Sequence, residues 1–203
     1  MHHKALQNII NHLSQDQVLS KILHLDIQIP KDKTSLFQAL LKAVISQQLS
    51  VKAAATIYER FLNLFSNRIP TQEAVLLCTD ESIRSIGLSR QKSAYVKNIA
   101  QFFVDHDLKQ LDWSTYSNQE LIDLLTQIKG VGRWTVEMIL IFNLGRPDVF
   151  PKGDLGIKNA MIELYDLKSE GKSLLSEMEK IAARWKPYST YASLFLWRSL
   201  SNS

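Results

Sequence analysis

The fold of this 203-residue chain is decided by residues 121–158, which read LIDLLTQIKGVGRWTVEMILIFNLGRPDVFPKGDLGIK. Apolar residues at helical spacing run to Ile128, and a second, strongly apolar helical run begins near Arg133. The turn between them, Lys129-Gly130-Val131-Gly132, contains two glycines, which adopt backbone conformations that side chains forbid. The segment therefore predicts two helices joined by a tight hairpin.

The hairpin turn also has the chemistry of an anion site. It leaves main-chain amides bare at the start of a helix, where the helix dipole is positive. That arrangement suits a phosphate oxygen. A single Gly-x-Gly turn is a weak signal, and the pattern alone favours an ordinary tight helical hairpin without a ligand over a phosphate site.

A loop rich in glycine and proline, residues 145–154, follows the second helix and ends at Asp154, twenty residues after Trp134. This arrangement resembles the helix-hairpin-helix of the DNA glycosylase superfamily, and it is most similar to the alkylation-repair branch, 3-methyladenine DNA glycosylase II. The similarity covers roughly residues 34–199. The matching motifs, in chain order, are the hairpin, Arg133-Trp134-Thr135, Asp148-Val149-Phe150, the Asp-x-x-Ile-Lys that begins at Asp154, Arg184-Trp185-Lys186-Pro187, and Trp197.

Composition sets wide bounds on function. A net charge of +4 permits a polyanionic partner without requiring one. The single cysteine, Cys78, excludes an internal disulfide framework and a four-cysteine iron–sulfur cluster, and the five histidines show no metal-ligand spacing. No apolar run is long enough to span a membrane, and no signal-type apolar core follows Met1. We expect a soluble protein, cytoplasmic or nucleoid-associated, and nuclear in a eukaryote.

No segment shows convincing period-two alternation, so the pattern predicts an all-α protein. We expect Ser14 to cap a helix over 15–24, and Ser50 to open a helix that continues to Phe65. Three more helices are expected from their first residues: one capped by Thr34 or Ser35, a short one capped by Asp80 and ended by Gly87, and one that starts at Ser89. The remaining expected helices are residues 4–13 and those near 155–164, 173–184 and 188–200. The resemblance implies one glycosylase domain over 1–203, with the helix-hairpin-helix at about 118–144. It further implies a two-lobed helical bundle, in which the N- and C-terminal helices form one lobe, about 50–140 form the other, and a cleft lies between.

Asp154 is the candidate catalytic residue. Aspartate after Gly153 at a helix start is explained by N-capping alone, but capping and catalysis are compatible. Amides and the helix dipole stabilise a carboxylate there. Such an anion would stabilise the positive charge that develops on deoxyribose when an N-glycosidic bond breaks, or orient an attacking water. The resemblance points to the same residue.

Position 134 decides the reaction type. Superfamily members that also cut the DNA strand carry a lysine at this place, and its amine forms a Schiff base with the sugar. Trp134 lacks an amine, so the resemblance implies a monofunctional enzyme that leaves an abasic site.

The base pocket implied by the resemblance is lined by Trp134, Trp197 and Met138. Tryptophans are more often core residues, but here they match the motif, and an aromatic face attracts a cationic alkylated purine. Met138 replaces an aromatic residue of some relatives. We expect Trp185 and Tyr191 to be packing residues.

The resemblance also assigns the DNA contacts. Gln48 is the candidate wedge that fills the gap left by the extruded base, although a polar helix end would look the same. Phosphate contacts are expected at Lys129, Gly130, Gly132 and Arg133, and the loop Ser89–Lys92 is a weaker candidate, since charged helix faces are usually only solvated. A structural monovalent cation would be held by the backbone carbonyls of Thr126, Ile128 and Val131.

The resulting hypothesis is a monomeric, cofactor-free glycosylase that excises 3-methyladenine- or 7-methylguanine-type bases from double-stranded DNA, with no membrane partner. One alternative is a non-catalytic helix-hairpin-helix protein that binds DNA structure. Another is a glycosylase for deaminated or oxidised bases.

Overall fold

The computed structural model describes residues 2–29 and 34–200, and the side chains from Ala5 onward within the first range. Every regular element in these ranges is helical, which confirms the predicted all-α class. None of these helices combines the length and apolar character needed to cross a bilayer. The α-helices are α1 His2–Leu13, α2 Leu36–Ser46, α3 Val51–Leu62, α4 Gln72–Leu77, α5 Asp80–Ser85, α6 Arg90–Asp105, α7 Asn118–Leu125, α8 Arg133–Phe142, α9 Leu155–Tyr165, α10 Gly171–Ala182 and α11 Ser189–Leu200. Short 3₁₀ turns occur at Leu19–Ile22, Ser66–Arg68, Leu108–Gln110, Trp113–Thr115 and Ala183–Trp185.

Several helix starts are fixed by serine or threonine side chains. Ser35, Ser50 and Ser89 each accept a hydrogen bond from the amide three residues later, which confirms these predicted caps. The cap of α5 is Thr79 and not Asp80, which is the first residue of the helix. Asp80 still lies in the first turn, where a negative charge is favourable.

The predicted helix over 15–24 is wrong. Only Leu19–Ile22 is helical there, as a 3₁₀ turn, and the Ser14 hydroxyl donates back to the Asn11 carbonyl. The reason is Asp16, a nearly fully buried residue whose side chain accepts the amides of Val18 and Leu19. A side chain that competes for main-chain amides in this way replaces helical hydrogen bonds.

The chain divides into two compact units. The discontinuous unit comprises Met1–Lys31 and Leu140–Ser203, and the continuous unit comprises Asp32–Ile139. The predicted single domain, its lobe boundaries and its cleft stay predictions. In the discontinuous unit, α9 packs against α11 around the fully buried Trp185. Burial of Trp185 confirms its packing role.

The continuous unit is organised by α6, which packs against both α2 and α4. Its core side chains include Phe37, Val44, Val96 and Phe103, all fully or almost fully buried. Helix α3 ends at Leu62 and not at the expected Phe65. Helix α6 also contacts the hairpin, through Asn98 and the Lys129 carbonyl, and the end of α2, through Lys92 and the Ile45 carbonyl.

Candidate active site

Asp154 is the N-cap of α9. Its Oδ1 accepts a hydrogen bond from the Ile157 amide over 2.9 Å, so the predicted capping role is confirmed. The side chain is half-buried. The start of α9 contributes a positive dipole end to the surroundings of the carboxylate.

The same oxygen of Asp154 accepts a second hydrogen bond, from the indole nitrogen of Trp197. The Nε1–Oδ1 distance is 2.8 Å, although the two residues are 43 positions apart. Both residues belong to the discontinuous unit. Two residues that the sequence assigned separately, one to catalysis and one to the base pocket, are therefore in direct contact.

The loop that carries Asp154 is fastened to the start of α11, the helix that carries Trp197. The Thr190 hydroxyl donates to the Arg146 carbonyl over 2.6 Å and accepts the Val149 amide over 3.0 Å. Thr190 is buried, so these bonds are shielded from water. Helix α11 thus carries Trp197 and also anchors the loop that carries Asp154.

Phe142, at the end of α8, forms an aromatic pair with Trp197. The ring centroids are 5.7 Å apart, the planes are inclined by 30°, and Phe142 is 40% exposed. Sequence analysis missed this residue, because a phenylalanine that ends an apolar helix looks like a core residue. The two rings line a cavity of about 390 Å³ together with Asp26, Ile27, Gln28, Leu194 and Arg198. A space of this size with aromatic walls can receive a flat heterocycle.

The hairpin between α7 and α8 turns at Gly130, which has a φ of +105°. A Cβ added to this residue would lie only 2.2 Å from Cγ of Tyr95. The Val131 amide donates to the Ile128 carbonyl over 2.9 Å and closes the turn. Glycine is therefore required at 130, because of its backbone conformation and because Tyr95 leaves no space for a side chain. Helix α7 ends at Leu125, before the predicted end at Ile128.

Side chains from neighbouring helices hold the hairpin carbonyls. Asn98 donates to the Lys129 carbonyl and Gln47 to the Gly130 carbonyl, each over 3.2 Å. The expectation that Gln47 is structural is confirmed. The Lys129 side chain is exposed, whereas Nε of Arg133 is 2.9 Å from the buried carboxylate of Glu137.

Gln48 follows the end of α2 in a left-handed backbone conformation, with a φ of 57°, and its side chain is exposed. The Lys92 ammonium donates to the carbonyls of Ile45 and Gln47, which precede Gln48 in the chain. Burial lowers the pKa of Lys92. The Lys92 ammonium is thus occupied by the end of α2, and the expected DNA contact of the segment Ser89–Lys92 stays a prediction.

The remaining predicted base-pocket residues lie on α8. Trp134 is 47% exposed and Met138, one turn later, is half-buried. Their pocket roles stay predictions. Within the part of the chain that the structure describes, no group of three or more His, Cys, Asp or Glu side chains is placed to hold a metal ion.

Comparison with known proteins identifies the family. The HhH-GPD superfamily of base excision DNA repair proteins matches residues 41–187. The chain belongs to this superfamily. Over 171 residues it is 39% identical to DNA-3-methyladenine glycosylase 1 of Schizosaccharomyces pombe, and the match covers 83% of this chain and 74% of that protein.

Solved structures of the superfamily support the same assignment. The S. pombe 3-methyladenine DNA glycosylase in complex with abasic DNA has a TM-score of 0.76 and 34% identity, and covers 96% of this chain and 97% of its own. A DNA-3-methyladenine glycosidase from Bacillus halodurans has a TM-score of 0.79 and 34% identity, over 93% and 86% of the two chains. These similarities confirm the resemblance and the fold class drawn from the motifs.

Proposed function

We propose that this protein is a monofunctional DNA N-glycosylase of the 3-methyladenine glycosylase II type, which extrudes and excises alkylated purines and leaves an abasic site. The observation that carries the proposal is the Asp154 carboxylate, which is held by a main-chain amide and by the indole of Trp197, a residue that also lines the cavity. The names of the superfamily relatives support the substrate class.

The proposed role of Asp154 is electrostatic. Positive charge develops on the deoxyribose as the N-glycosidic bond breaks, and a fixed anion stabilises it. At an effective dielectric near 20, unit charges about 4 Å apart attract by roughly 4 kcal/mol. That energy corresponds to about three decades of rate if it is fully realised. Two N–H donors hold Oδ1 of this carboxylate in place, so the proposal gives charge stabilisation more weight than deprotonation of a water.

The proposed pocket favours cationic bases. A purine alkylated at N3 or N7 carries positive charge in its ring, and an aromatic face attracts a cation by roughly 0.5–2 kcal/mol. Such a base also leaves without protonation by the enzyme. In this proposal Trp134, Met138 and Trp197 line the pocket, and the exposed face of Phe142 extends it.

The absence of lyase activity is proposed from Trp134, which has no amine where strand-cutting relatives have lysine. Borohydride reduction during reaction with abasic DNA should yield no covalent protein–DNA adduct. An adduct would reveal an amine nucleophile and overturn this part of the proposal.

The proposed DNA grip uses the hairpin and the α2–α3 loop. The main chain at Gly130 and Gly132 and the side chains of Lys129 and Arg133 would contact phosphates, while Gln48 enters the duplex. Its left-handed backbone and exposure support the wedge role.

A structural monovalent cation at the hairpin remains part of the proposal. The ligands would be the carbonyls of Thr126, Ile128 and Val131, and carbonyl oxygens suit hard cations. Ile128 already accepts one amide hydrogen bond, which leaves its second lone pair for an ion. The hairpin would then bind DNA more tightly in potassium or sodium salts than in a bulky organic cation at equal ionic strength.

Base release decides between the proposal and its alternatives. Duplex oligonucleotides with one methylated, deaminated or oxidised purine are incubated with excess protein, and the free base is measured by chromatography. We expect release of methylated purines and strand breaks only after alkali. Tight binding without release would indicate a DNA-structure-binding protein. Release confined to deaminated or oxidised bases would indicate a glycosylase of different specificity.

A further inference from the structure

The first turn of α9 contains a glycine, Gly156, directly beneath the contact between Asp154 and Trp197. A Cβ added to Gly156 would lie 3.1 Å from Asp154 Oδ1, 3.1 Å from Trp197 Cδ1 and 3.2 Å from Trp197 Nε1. These separations are tighter than nine in ten real Cβ contacts. Any larger residue would push the carboxylate and the indole.

The glycine has no backbone reason to be there. Gly156 lies inside a helix and is not among the residues with positive φ, so an L residue fits its conformation. Glycine inside a helix costs roughly 0.5–1 kcal/mol relative to alanine. The position is occupied by glycine in spite of this cost because a side chain at 156 would crowd the Trp197 indole.

We infer that Trp197 and Gly156 are positioning residues for Asp154, an inference that rests on the proposed function. The Trp197 N–H and the Ile157 amide bind one carboxylate oxygen from two directions, which fixes the orientation of the group. The Phe142 ring supports the indole, and the missing side chain at 156 lets the indole edge approach. Trp197 thus has two roles: its indole N–H orients Asp154, and its aromatic face lines the base pocket.

The functional consequence follows from geometry. Displacing a reacting group by about 1 Å costs on the order of a hundredfold in rate. A shift of a few tenths of an ångström at Gly156→Ala should therefore lower the rate of base release by about three- to tenfold. Trp197→Phe keeps an aromatic face but removes the N–H donor, and a hydrogen bond to a charged group of this kind corresponds to roughly ten- to a hundredfold in rate.

The test is a double-mutant cycle of Gly156→Ala and Trp197→Phe. Single-turnover base release at saturating protein gives the rate of chemistry, and titration of an abasic-site analogue gives Kd. We expect each single variant to lower the rate of chemistry with Kd unchanged. Gly156→Ala should lower the rate by a smaller factor in the Trp197→Phe background, because the new methyl group then crowds the carboxylate but no longer the indole nitrogen that holds it. Gly153→Ala is the matched control, since a Cβ at 153 meets nothing within 4 Å.

A second readout separates positioning from a pocket-wall role. A defect in Asp154 should lower release of every substrate base by the same factor, whereas a lost wall contact would affect cationic purines most. Additive losses, a matching rise in Kd, or full activity of Gly156→Ala would overturn the inference. Thermal unfolding shows whether any variant has simply lost its fold. Failure of the unmodified protein to release any base would instead refute the proposed function.

Discussion

The ammonium nitrogen of Lys92 lies 2.8 Å from the carbonyl oxygen of Ile45, in the last turn of α2. The same ammonium also reaches the Gln47 carbonyl. A cation at a helix C-terminus satisfies carbonyls that lack helical partners and complements the helix dipole. Helix α6 therefore holds the end of α2, from which the exposed Gln48 projects.

Lys92→Met should lower the free energy of unfolding by about 1–3 kcal/mol, because two carbonyls lose a charged donor. It should also weaken binding to an abasic-site analogue, since the Gln48 loop loses its support. Urea unfolding and DNA titration measure the two effects. Lys97→Met on the same helix is the control. Lys97 pairs with the exposed Asp80, and such surface pairs contribute about 0–1 kcal/mol. Equal losses in the two variants would contradict the support role.

Asp154→Asn should reduce base release by up to about three decades. Asparagine is also a good N-cap, so the variant should fold with nearly unchanged stability and still bind DNA. Single-turnover kinetics and thermal unfolding are the measurements. Asp166→Asn is the matched control, because Asp166 is exposed and asparagine tolerates its left-handed backbone. Base release by Asp154→Asn at the unmodified rate would remove the catalytic assignment.

Gly130→Ala should destabilise the protein by more than about 2 kcal/mol. The left-handed conformation alone costs an L residue roughly 1–2 kcal/mol, and the new methyl group would overlap the Tyr95 ring. Gly132→Ala should leave the Tm nearly unchanged, since a Cβ there meets nothing within 4 Å. A pair of melting curves decides this, and equal Tm values for the two variants would contradict the packing described for the hairpin.

Acid should destabilise the protein partly through Asp16. Burial acts to raise the pKa of this carboxyl, but hydrogen bonds from Leu19, Tyr165 and Trp185 and the nearby Arg184 charge lower it below its usual value of 3.8. A carboxyl with a lowered pKa stabilises the fold above its unfolded pKa, and that contribution is lost as pH falls through the folded one.

Asp16→Asn should therefore reduce stability by about 1–3 kcal/mol at pH 7 and flatten the loss of stability below about pH 4. Urea unfolding at several pH values measures both effects. Asp107→Asn, at an exposed left-handed position, should unfold like the unmodified protein. If Asp16→Asn loses stability below about pH 4 as steeply as the unmodified protein, other carboxyls are responsible for the pH dependence.

Local chemistry made much of the fold predictable. The caps at Ser35, Ser50 and Ser89 depend on an amide three residues away, which the sequence displays directly. The expected helix over 15–24 failed because the Asp16 side chain accepts nearby main-chain amides, and it is held in that position by Tyr165 and Trp185, 149 and 169 residues later. Periodicity carries no information about such distant partners.

The same limit applies to the candidate site. Asp154 and Trp197 could be found from motifs, but their hydrogen bond depends on how α9 and α11 pack. Lys92 looked like a surface charge because its two carbonyl partners are main-chain atoms without a sequence signature. Phe142 became a candidate only through its contact with Trp197.

The discontinuous unit has a consequence for synthesis on the ribosome. Asp16 precedes the continuous unit in the chain, whereas its partners Tyr165 and Trp185 follow that unit and are translated after it. The continuous unit, Asp32–Ile139, is fully translated before those partners appear. Domains generally fold as units during translation. The core around α1 therefore forms only after the segment that carries Tyr165 and Trp185 has been translated, later than the core of the continuous unit.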